Sequence, residues 1–161
     1  MKVLDNLSLF LNRLLLWIGG CFLAIMILLI GANIFLRVVW IPIKGTFELM
    51  GFLGAVVTAF ALGHTQRNKG HMGIDVVVNL FSDKTRRILS SVNYLVCSAF
   101  FTIVGWQLTR WAAKLCATGE LTETLRIAFY PFTYAVAFGC FVLALDLVTE
   151  FLRLFLKAGG D

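Results

Sequence analysis

Four apolar blocks, each about as long as a bilayer is thick, fix what this chain can fold into. They cover about residues 14–36, 47–65, 84–109 and 127–147. A helix needs about 20 predominantly apolar residues to cross the hydrocarbon core. The sequence therefore predicts an all-α integral membrane protein, a single four-span domain over residues 1–161. Composition agrees: 60% of residues are hydrophobic and 14% charged, with mean hydropathy +0.88, against about 25% charged in soluble domains.

Two further segments have helical periodicity but are too polar to cross. Val3, Leu4, Leu7, Phe10, Leu11 and Leu14 share one face of residues 2–13, and Lys2, Asp5, Asn6, Asn12 and Arg13 occupy much of the other. Ile74, Val77, Val78 and Phe81 make an apolar stripe over 74–82, opposed by Asp75, Asn79 and Ser82. Both patterns predict interfacial amphipathic helices lying along the membrane surface.

Orientation follows from the cations. Lys2, Arg13, Arg67, Lys69, Lys84, Arg86, Arg87, Arg153 and Lys157 fall on one side, against Arg37, Lys44, Arg110, Lys114 and Arg126 on the other. The richer side is cytoplasmic by the positive-inside rule, so both termini are expected there. The net charge of +5 is a matter of orientation and phospholipid headgroups, with no nucleic-acid partner expected.

The second block carries a run of small residues. Gly51, Gly54, Ala55, Thr58 and Ala61 fall on one helical face, which Glu48 and Thr65 extend at its two ends. Lipid gives no hydrophobic drive for helix association, so such a face marks a close helix contact. That contact is either within the chain or with another subunit.

Catalytic and metal chemistry find little support. The four cysteines, Cys21, Cys97, Cys116 and Cys140, form no CxxC pair, which argues against a thiol oxidoreductase and a zinc site. His64 and His71 lie in one connection, whereas a haem bundle needs axial ligands on facing helices. Glu48 and Asp146 are the acids nearest the apolar blocks, and both are expected at span ends, within reach of water. A stand-alone, homodimeric four-span exporter is the alternative function, and it requires a carboxylate at mid-membrane. No catalytic residue, metal site or cofactor is assigned to the chain.

The stretch from Glu48 through Gly70-His71-Met72-Gly73-Ile74-Asp75-Val76-Val77 resembles the small membrane subunit, DctQ type, of tripartite ATP-independent periplasmic (TRAP) transporters. So does Leu125-Arg126-Ile127-Ala128-Phe129-Tyr130-Pro131-Phe132 at the start of span four. The resemblance implies a non-catalytic subunit of the bacterial inner membrane. It would scaffold and anchor a large multi-span permease subunit, which is expected to hold the sodium and substrate sites. A periplasmic binding protein would capture an organic acid such as a dicarboxylate or sialic acid. On this reading Glu48, Gly51, Gly54, Ala55 and Thr58 pack within the chain or on the large subunit. His71 and Asp75 fix the cytoplasmic turn and the start of the interfacial helix, or simply form a solvated polar face. Arg37 and Lys44 contact the binding protein, or only phospholipid.

Overall fold

A computed structural model describes the backbone of residues 2–67 and 83–158, and the side chains of residues 6–66 and 89–153. Four helices make up the described fold: α1 Lys2–Val39, α2 Thr46–Arg67, α3 Asp83–Thr118 and α4 Tyr130–Ala158. All four contain a segment long and apolar enough to cross a membrane. The chain is thus a multi-pass membrane protein, with four candidate spans among the described residues. The expected interfacial segment 74–82, with His71 and Asp75, lies outside the described residues.

The bundle is built around α4. This helix packs on α3, α2 and α1, while α1 also packs along α2. Half of the α4 span is buried, against 11% for α1 and for α3. Leu15, Val56, Ala59, Phe60 and Val142 form the core where α1, α2 and α4 meet. Between apolar helices in lipid the stabilisation is dispersion between close surfaces, and the sequence provides for that closeness. A Cβ on Gly139 of α4 would lie 2.9 Å from the carbonyl oxygen of Ala59 on α2, so only glycine admits this crossing. Nearer the α1–α2 connection, Phe52 stacks on Phe132 with ring centroids 4.5 Å apart.

Residues 2–13 are not a separate interfacial element: α1 is one helix of 38 residues, about 57 Å long at the helical rise. No proline interrupts it, and its buried face runs on through Ser8, Asn12, Leu15 and Gly19. Asn12, expected on a solvated side, is 2% exposed. Helix α3 runs through Arg110, Trp111 and Lys114 to Thr118, past the expected end of the third span at 109. Helix α4 begins at Tyr130 rather than 127, because Ile127 and Ala128 are engaged in a turn described below. It then continues eleven residues past 147 to Ala158, and the Glu150–Arg153 ion pair one turn apart, at 3.0 Å, supports that extension.

Candidate functional site

Two carboxylates, at opposite ends of the bundle, hold its connections and its helices in place. At the end carrying the α1–α2 and α3–α4 connections, Glu48 lies in the first turn of α2. Its Oε1 accepts the Thr124 N–H at 2.9 Å and its Oε2 the Leu125 N–H at 3.1 Å. These amides belong to a hairpin-like turn. Leu121 bridges Ala128, the Thr122 N–H donates to the Ile127 carbonyl at 2.9 Å, and the Ile127 N–H donates to Thr122 Oγ1 at 3.1 Å. Thr122 is correspondingly buried. Arg126 closes the turn with φ +53°, a left-handed conformation that residues other than Gly, Asn and Asp rarely adopt. Leu125 fits against Gly45, whose φ of +75° and missing side chain leave the space.

The α1–α2 connection is held in the same manner. Asn33 Oδ1 accepts the Ile43 N–H at 2.8 Å, and Thr46 Oγ donates to the Ile43 carbonyl at 2.8 Å. Arg37 and Lys44, the two cations expected to meet a partner, are both exposed here, as are Arg110, Lys114 and Arg126. None of the five forms an ion pair among the described residues.

At the other end Asp146 is 2% exposed, which corrects the expectation that water reaches it. Ser8 Oγ donates to its Oδ1 and Asn12 Nδ2 to its Oδ2. Asn12 Nδ2 also donates to the Ser8 carbonyl at 3.0 Å. Both carboxylate oxygens thus receive hydrogens from α1, and these bonds offset the cost of burying the polar group. Gly63 of α2 completes the site: a Cβ there would collide with Asn12 Oδ1 and lie 3.3 Å from Asp146 Oδ2. Ser8 and Asn12 were not singled out from sequence. Their signal is an i, i+4 polar pair in line with the buried Leu15, readable only once α1 is known to be continuous.

The α2 residues Gly51, Gly54, Ala55 and Thr58 lie apart from both carboxylate sites. The face that α2 buries is Val56, Ala59, Phe60 and Gly63. Gly51, Ala55 and Thr58 are exposed, and a Cβ on Gly51 or Gly54 would meet nothing within 4 Å. Thr58 Oγ donates to the Gly54 carbonyl at 2.8 Å, so it makes no demand on a neighbouring helix. The structure therefore groups Gly51, Gly54, Ala55 and Thr58 on a face open within this chain, and it gives Glu48 a different contact.

The family model described as "Tripartite ATP-independent periplasmic transporters, DctQ component" matches residues 26–157, most of the 161-residue chain. Comparison with curated proteins and with solved structures gave no match.

Proposed function

The chain belongs to the DctQ component family of tripartite ATP-independent periplasmic transporters, and on that premise we propose that it is the small permease subunit that scaffolds and anchors the large one. The complex would be a sodium-driven, binding-protein-dependent importer of organic acids, such as dicarboxylates or sialic acid, in the bacterial inner membrane. Sodium ions and substrate would bind in the large subunit, and the work of this chain would be assembly.

The open face of α2 is the observation that carries this reading. A helix that spans the membrane with glycine, alanine and threonine outward gives lipid little to contact and gives another helix a close backbone approach. Among the described residues, none would lie within 4 Å of a Cβ on Gly51 or Gly54. Both carboxylates nearest the spans are engaged by groups of the chain itself. That arrangement suits an architectural part better than the mid-membrane carboxylate of a stand-alone exporter. The cation count supports termini in the cytoplasm and the Glu48 end on the periplasmic side.

Co-purification tests the assignment. Gly54→Leu should leave the isolated chain folded and abolish its co-purification with the large permease subunit. Retained co-purification would remove α2 from the interface. Sodium-driven organic-acid uptake by the reconstituted chain alone would overturn the non-catalytic assignment.

A further inference from the structure

We propose that the C-terminal part of α3 holds an anionic phospholipid, with Arg110 and Lys114 clasping its phosphate between Trp106 and Trp111. Assembly through α2 leaves this face unused, and the lipid site does not depend on which partner covers α2.

The site is built at one helical spacing. Trp106, Arg110 and Lys114 follow one another at intervals of one turn, and Gln107 and Trp111 lie beside them. All five are exposed, Trp106 by 61% and Trp111 by 56%. The opposite face of the same stretch enters the bundle through Gly105, Ala112 and Leu115.

Depth decides what this face can meet. The turn after α3 is bonded to Glu48 in the first turn of α2, which sets the end of α3 level with the start of the α2 span. At the helical rise Lys114 lies about 6 Å and Arg110 about 12 Å inward of that end. A cation so placed is costly unless it finds an anion or reaches the headgroups. No Asp or Glu occurs between residues 84 and 118, and neither cation forms an ion pair among the described residues. Glu120 and Glu123 are exposed, but they lie past the helix end, where Gly119 turns the chain away with φ +66°. A phospholipid phosphate supplies the missing anion, and both side chains are long enough to extend to it.

A second protein helix suits this face poorly. Close helix contact in lipid needs small residues, which α2 offers at Gly51 and Gly54, whereas α3 presents two indoles, an amide and two long cations. Fluid acyl chains fill the space around such groups, and indoles favour the headgroup level. A zwitterionic headgroup brings an ammonium that competes with Arg110 and Lys114, so the face fits a headgroup of net negative charge.

The test uses the full chain purified in detergent, with phosphatidylglycerol and phosphatidylcholine of matched acyl chains as probes and native mass spectrometry as the readout. The wild-type chain should retain phosphatidylglycerol over phosphatidylcholine by about tenfold or more, each cation contributing about fivefold. Arg110→Gln and Lys114→Gln should each lower that preference severalfold, and the double change should abolish it with an unaltered thermal midpoint. Arg37→Gln with Lys44→Gln removes the same charge elsewhere and should leave the preference intact. Equal retention of the two lipids by the wild-type chain would overturn the proposal. So would an equal loss in the Arg37 and Lys44 double change, which would make net charge the cause. Release of the bound phosphatidylglycerol when the large permease subunit co-purifies would give the face to that subunit, and would overturn it too.

Discussion

Glu48 and Asp146 look alike in the sequence, each an acid at the end of an apolar block, and the structure gives them opposite surroundings. Glu48 is reached by two backbone amides and remains near water. Asp146 is enclosed and reached by two side chains from a helix more than 130 residues away in sequence. The physical difference is what happens when the group is lost. Amides at a wet surface exchange their carboxylate for water at small cost, whereas buried donors have no substitute. A carboxylate at a bundle end thus shapes a loop when its surroundings are wet, and holds helices together when they are dry.

The contrast can be broken at four points. Asp146→Ala should destabilise the chain most, by about 3 kcal/mol or more, since it strands two buried donors. Thermal unfolding in detergent measures it, and an unchanged midpoint would show that the enclosed site bears no load. Gly63→Ala adds one methyl group where Asn12 sits and should cost about 1–3 kcal/mol through overpacking. Ser8→Ala removes one donor and should cost about 1–2 kcal/mol, with faster amide exchange confined to the first turns of α1. Glu48→Gln should be the mildest, with no measurable change in midpoint. It should still accelerate exchange at Thr124 and Leu125, and an equal loss of stability in Glu48→Gln and Asp146→Ala would erase the distinction between the two ends.

How far the sequence disclosed all this depends on the scale of the signal. The four spans were legible because each is a long apolar run, and α3 extends past its span because no glycine or proline lies between residue 109 and Gly119. The continuity of α1 was not. Leu7, Phe10 and Leu14 do share a face, yet they are exposed, while Ser8 and Asn12 point inward because an acid on α4 receives them. That pairing is a tertiary fact with no local trace. The small-residue face of α2 was legible as a face, but its openness was not, since Gly51 could equally have met α4. The turn at 121–128 was hidden for a related reason: its anchor, Glu48, lies 76 residues away.

The place of α4 at the centre of the bundle has a consequence for biogenesis. A ribosome delivers α1 and α2 first, and they can pair at once. Helix α3 must wait in the membrane without its main neighbour until α4 is threaded beside it. Ser8 leaves the ribosome with the first helix, and its acceptor Asp146 only with α4, 138 residues later. The bundle therefore closes only once α4 has emerged, and a product stalled before α4 carries open polar groups on α1 that membrane proteases and insertases can read as unfinished.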